Sequence, residues 1–339
     1  MLVTRRNLLL SAAAFFPLRA QEKTDAKFAG GVNLVNVLVS VHNGKNEVVK
    51  DLKQEDFALE EDGHPQVIKF FSRETGLPLT LGLMVDTSGS QRRVLGQEKT
   101  ATSKFIDQVI REDKDQAFLI KFDAEAELMQ DLTPSRKKLQ SALNDIEGAS
   151  PRQLQRRDPN GGGGGGGRAG TILYDSISLA SNEEMKKQQG RKALILLTDG
   201  DDHGSKYSLS ESIEAAQRTD TLVYSIYFVD QEQSNFTPSF GGGGRHGGGG
   251  RRPPQQNRGD GKKILQRISK ETGGLFFEVS KKLPIEKIYE QIEEELRSQY
   301  SLGYSSDQKD AGSGFRKIKV TAKGKGMVAQ TRDGYYATT

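Results

Sequence analysis

The chain has 339 residues, 34% of them hydrophobic and 28% charged, with 38 glycines, no cysteine and a formal net charge of +4. The missing cysteines exclude disulfides, zinc–thiolate clusters, thiol catalysis and lipid attachment through a cysteine. The length accommodates one large domain or two smaller ones with ample core, while the low hydrophobic fraction beside so many glycines implies that part of the chain is not packed.

In chain order, residues 1–20 read as an export signal. Arg5-Arg6 precedes the apolar run from Leu8 to Phe16, too short to span a bilayer as a helix, and Leu18-Arg19-Ala20 stands before Gln21. Thr4-Arg5-Arg6-Asn7-Leu8-Leu9 resembles the twin-arginine motif; a general secretory signal is the other reading, and Leu18 occupies the place of an expected small residue. Removing Arg5, Arg6 and Arg19 leaves a formal charge of +1, with no global case for nucleic acid or anionic membrane. No membrane span is expected once the signal is gone, and the destination is periplasmic or secreted.

Residues 21–77 read as a small β unit. Val35, Val37, Val39 and Val41 alternate with Asn36, Leu38, Ser40 and His42, the period of a half-buried strand. Asn43-Gly44 is a hairpin-type turn, and Phe57 to Glu61 and Val67 to Phe71 continue the pattern. From Pro78 strands and helices alternate, as in a doubly wound, mostly parallel sheet. Strands are expected at 79–85, 117–122, 193–198, 222–228 and 275–279, with a short edge strand near 125–130. Helices are expected near 91–111, 135–146, 171–187, 208–218, 262–272 and 284–297. Glycine- and arginine-rich insertions at about 149–169 and 231–260 cannot recover their ordering entropy by burial and are expected to be disordered. They read as solvated linkers, as a basic rim beside the site, or as an Arg-Gly tract for RNA. After residue 298 the period returns to two. Neither this segment, 298–339, nor 21–77 is large enough for a sandwich core alone, so the two are expected to co-fold with 78–297 inserted between them; separate β units are the alternative.

The apolar run Leu79–Val85 ends in Asp86-Thr87-Ser88-Gly89-Ser90, which places one carboxylate and two hydroxyls on one side of a strand–loop–helix turn. Oxygen donors of this kind suit a hard cation such as Mg²⁺, and the carboxyl ends of parallel strands are where open α/β sheets place ligands. Thr171 opens a later helical run, and Ala193–Thr198 ends a second buried-strand run at Asp199. Taken together in this order, the three stretches resemble the von Willebrand factor A family and its metal-ion-dependent adhesion site, over about residues 78–297. More narrowly, the mature chain resembles the VWFA-related proteins common in Acidobacteria. The resemblance implies that Ser88 and Ser90 bind the cation through their hydroxyls. It implies also that Thr171 approaches it directly or through water, and that Asp86 and Asp199 hold ordered waters and orient the other ligands. Mg²⁺ is the expected ion, with Mn²⁺ or Ca²⁺ as alternatives.

Neutral hydroxyl ligands leave the ion's charge uncompensated, so the expected partner is a protein supplying an Asp or Glu carboxylate. A cell-envelope assembly subunit with a structural metal is the alternative, and a metal-dependent hydrolase a distant third. Catalysis is not expected: His42, His64, His203 and His246 are scattered, and neither a Walker loop nor a zincin motif is present. Asp201 and Asp202 read as solvated, and Asp175 as a favourable charge at a helix N-terminus. Oligomeric state cannot be read from these patterns.

Overall fold

The computed structural model describes residues 34–73, 76–148, 171–228, 258–307 and 314–337. The export signal, the first glycine-rich insertion and the second as far as residue 257 lie outside the described residues.

The first strands are β1 (Leu34–His42), β2 (Phe57–Glu61), β3 (His64–Gln66) and β4 (Ile68–Ser72). Alternation of strand and helix follows: β5 (Leu79–Asp86), α1 (Leu95–Val109), β6 (Gln116–Phe122), β7 (Ala126–Thr133), α2 (Arg136–Asp145), α3 (Leu173–Leu179), β8 (Arg191–Thr198), α4 (Leu209–Arg218), β9 (Thr221–Tyr227), α5 (Arg258–Thr272), β10 (Phe276–Glu278) and α6 (Ile285–Ser298). Four more strands are β11 (Tyr300–Ser305), β12 (Gly314–Ala322), β13 (Val328–Gln330) and β14 (Gly334–Ala337).

The central sheet has the order β10-β9-β8-β5-β6-β7. All its neighbours are parallel except β7, which runs antiparallel to β6 at the edge. Both faces are covered, and the strand period of two sorts the side chains between them. Leu79, Leu81, Leu83 and Val85 of β5 join Ala193, Ile195 and Leu197 of β8 under α1, α2 and α6. Met84 with Leu194 and Leu196 faces α3, α4 and α5. The doubly wound sheet expected from the apolar runs is therefore present.

Three helices differ from the sequence expectation. The chain turns through Gly89–Val94 before α1 begins at Leu95, because the residues after Asp86 are held in the site described below. The helix expected over 171–187 is α-helical only over α3; Ala180–Glu184 widens into a π-type turn and Met185–Lys187 tightens into a 3₁₀ turn. α5 starts at Arg258, four residues earlier than expected, where Gly261 packs against the backbone of Asp199 and Gly200.

The terminal segments interleave. One four-stranded sheet has the order β13-β1-β11-β4 and the other β14-β12-β2-β3, so early and late strands pair directly in both, and β1 lies between two late strands. Val35, Val37, Val39, Phe57, Tyr300, Leu302 and Val320 share one core. Buried Glu61 ties the sheets together by accepting hydrogen bonds from Tyr304, Ser306, Tyr335 and Arg316.

Ser40 and His42, expected on the solvent face of β1, are buried because α6 covers that end of the strand. Ser40 Oγ and Tyr224 OH donate to Glu295 Oε1 at 3.1 and 3.0 Å, and His42 Nε2 lies 3.7 Å from Oε2. Burial pushes the Glu295 carboxyl up from 4.5 to about 7. The folded chain thus holds a proton that the unfolded chain releases, and Glu295 makes stability fall as pH rises from 4.5 to 7. His42, held below its ordinary range by burial, contributes the opposite slope. Glu295→Gln should remove the Glu295 component, so that the melting temperature of the variant gains on that of the wild type as pH rises through this window.

Candidate metal centre

Asp86 is the last residue of β5 and Asp199 the first after β8, so parallel pairing of these strands brings the two carboxyl ends side by side. The chain leaves β5 along the end of the sheet, with Thr87 N donating to Phe122 O of β6 at 2.9 Å. It then turns on Asp86 itself, whose Oδ1 accepts from Ser88 N at 2.9 Å, the self-bonded turn that short acidic side chains favour. This turn sets the Ser88 and Ser90 hydroxyls 3.0 Å apart. The other Asp86 oxygen, Oδ2, accepts from Thr198 Oγ1 at 2.6 Å, and Thr198 Oγ1 accepts from Gly200 N at 3.0 Å. Both carboxylate oxygens of Asp86 are thus engaged by the protein.

Asp199 Oδ1 accepts from Asp201 N at 3.2 Å. Thr171 is buried and held through the backbone: His203 N donates to Thr171 O at 3.0 Å, and Ile172 N to Asp123 O, just beyond β6, at 2.8 Å. Its hydroxyl makes no hydrogen bond to the described residues. Hence the structure joins Asp86, Ser88 and Ser90 directly, adds Asp199 through Thr198, and brings Thr171 to the same end of the sheet by main-chain bonds. Burial, with the Asp199 carboxylate nearby, pushes the Asp86 carboxyl well above the usual range.

Residues 81–201 match the family model of the von Willebrand factor type A domain. The chain contains a von Willebrand factor A domain. No curated protein gives a significant match. Similar solved structures include an aerotolerance-related membrane protein from Bacteroides fragilis, with 17% identity, 65% of this chain and 98% of the other covered, and a TM-score of 0.42. Another is the conserved hypothetical protein BatB from Bacteroides thetaiotaomicron, at 19%, 66% and 100%, and 0.42. A third is proximal thread matrix protein 1 from the mussel byssus with a zinc-occupied MIDAS motif, at 14%, 70% and 50%, and 0.44.

The donor set of the von Willebrand factor A domain fits a hard divalent cation. It is all oxygen, from hydroxyls and carboxylates, with neither imidazole nor thiol. Among the described residues no group of three acidic, histidine or cysteine side chains could hold a metal, so the hydroxyls are indispensable to any such site. A further observation points the same way. Glu98 of α1 is fully buried, and neither of its carboxylate oxygens has a hydrogen-bond partner among the described residues. Burial, and then the Asp86 and Asp199 carboxylates, push Glu98 well above the usual range.

Two expectations about the neighbouring loop are corrected. Asp202 is not merely solvated: its Oδ1 accepts from Tyr174 N at 3.2 Å and Ser205 Oγ at 2.5 Å. Asp175 does more than favour a helix N-terminus, because its Oδ1 accepts from Lys206 N and Tyr207 N at 2.8 and 2.9 Å. These bonds fasten the loop after Asp199 to the start of α3. Gly200 has φ +78°, and a Cβ on Gly261 would lie 2.3 Å from Asp199 O. Glycine at both positions lets α5 press directly on the backbone that carries Asp199.

Among the residues overlooked in the sequence, Glu98 and Thr198 matter most. Glu98 had a signal, since it shares the helical stripe of Leu95, Thr102, Phe105 and Val109 that faces the core. Thr198 had none beyond its place before Asp199. His203 is exposed, and only its backbone takes part in the site.

Proposed function

We propose that this chain is an exported, cation-dependent protein-binding module whose von Willebrand factor A domain recognises an acidic residue of a partner. The cation would be held through the hydroxyls of Ser88 and Ser90, with Thr171 completing the hydroxyl set and Asp86 and Asp199 orienting these ligands and their waters. When bound, Mg²⁺ or Mn²⁺ would supply a positive centre to which a partner's Asp or Glu carboxylate can attach. The observation that carries this reading is the engagement of both Asp86 oxygens, by Ser88 N and Thr198 Oγ1. With Asp86 so occupied, the serine pair is the part of the turn free to ligate. Neutral ligands leave the charge of a divalent ion available to an outside anion. Export rests on the reading of residues 1–20; among the described residues no helix is long and apolar enough to cross a membrane.

The reading is tested by binding of the full chain to immobilised Asp-containing peptides in Mg²⁺. Binding should be lost in EDTA and in the Ser88→Ala/Ser90→Ala double variant. Binding that survives both would overturn it. Retention of one co-purifying partner in EDTA would support instead an envelope assembly role with a structural metal. That second reading is less favoured, because Asp175, Asp202 and Ser205 already fasten the loop after Asp199 without help from an ion.

A further inference from the structure

The turn and helix that follow the serine pair carry two buried side chains whose oxygens lack donors. Gln91 lies in the turn that leads into α1, and Glu98 in the first turn of α1 itself. Gln91 stands next to Ser90, is 2% exposed, and donates through Nε2 to Phe228 O at 3.3 Å, while its Oε1 has no partner. Both Glu98 oxygens are likewise without a partner among the described residues. All three unmatched atoms are acceptors. Leaving a buried acceptor unmatched is costly, and a charged one more so. Apolar packing does not explain the arrangement, because leucine or glutamine would fill the Glu98 position on the core stripe of α1 without a buried carboxylate. Gln91 follows Ser90 directly, and the acids whose fields Glu98 feels are Asp86 and Asp199. What the three have in common is the need for hydrogen-bond donors accompanied by positive charge, and a hydrated divalent cation offers both.

We propose that Glu98, with the amide oxygen of Gln91, forms an acceptor shelf behind Ser88 and Ser90 that takes hydrogen bonds from the water shell of a bound divalent cation and lets the site hold that cation before any partner arrives. The inference rests on the cation-binding reading above and adds to it two positioning residues outside the Asp-x-Ser-x-Ser, Thr and Asp set. It also assigns an order to binding: internal charge from Glu98 secures the ion first, and the partner's carboxylate attaches afterwards on the open side. The shelf would act through the waters, not as direct ligands.

The test is calorimetric titration of the full chain with Mg²⁺ and Mn²⁺, alone and with an Asp-containing peptide, beside thermal unfolding in EDTA. Glu98→Gln keeps the shape of the side chain and removes its charge. It should weaken cation binding about 10- to 100-fold, the usual consequence of losing a group that orients metal ligands. In EDTA the same variant should melt at the wild-type temperature or above it, because an unmatched buried carboxylate has been removed. Gln91→Leu should weaken binding in the same direction by a smaller factor, and it decides the matter if Glu98→Gln lowers stability. Wild-type binding with unchanged affinity in both variants would make Glu98 a packing residue and overturn the shelf alone. Absence of binding by the wild type, with and without peptide, would overturn the cation reading and the shelf together.

Discussion

Replacing Asp86 by alanine should abolish divalent-cation binding, lowering affinity by about 100-fold or more, the upper end of the range for groups that orient metal ligands. One carboxylate organises the whole turn: its Oδ1 fixes Ser88 N, and its Oδ2 fixes Thr198 Oγ1 at the end of the neighbouring strand. Without it the serine hydroxyls lose their register, and Asp199 loses its link to β5. Two counteracting effects act on the cation-free fold. Ser88 N and Thr198 Oγ1 are left without an acceptor, at about 1–3 kcal/mol, while a buried carboxylate crowded by Asp199 and Glu98 is removed. The melting temperature in EDTA should therefore shift less than the increment that Mg²⁺ gives the wild type and not the variant. Calorimetry and thermal unfolding with and without Mg²⁺ read the two effects separately.

At the other end of the sheet, Asp115→Ala should unfold the protein far more readily and leave cation affinity unchanged per folded molecule. Asp115 is fully buried just before β6 and accepts from Leu79 N at 3.0 Å, from Arg111 N and Nε at 3.0 and 2.9 Å, and from Arg297 at 2.7 Å. It therefore joins the starts of β5 and β6 to the ends of α1 and α6. Removing the acid leaves two guanidinium groups without their buried counter-ion, an effect of about 3–5 kcal/mol, to be read by denaturant unfolding. Burial alone would raise the Asp115 carboxyl, but the bonds from Arg111 and Arg297 hold it well below the usual carboxylate range. Its contribution is thus present above pH 3.8, the unperturbed value, and is lost as pH falls toward the folded-state value. The gap between wild type and variant should narrow in acid.

Much of this architecture was legible because it follows local rules. Apolar runs such as Leu79–Val85 have no polar alternation and read as strands buried on both faces, and those of β5 and β8 lead into Asp86 and Asp199 of the candidate site. The pairing of the terminal segments was legible from size: neither alternating stretch could fill a core, and β1 and β11 lie between strands from the opposite end. What escaped depends on contacts distant in sequence. Ser40 and His42 look like solvent-facing residues until Glu295, 255 residues away from Ser40, is folded over them. Glu98 looks like surface charge on a helix, although its spacing from Leu95 and Thr102 puts it on the core side. The serine turn was visible as a motif, whereas the acceptors behind it emerge only when burial is known.

The most direct measurement is titration of the full chain with Mg²⁺ and Mn²⁺ by calorimetry, with and without an Asp-containing peptide. The expected result is one cation per chain, held through Ser88 and Ser90, and tighter binding of both cation and peptide when the other is present, since coupling between two ligands is reciprocal. No cation binding in either condition would contradict it.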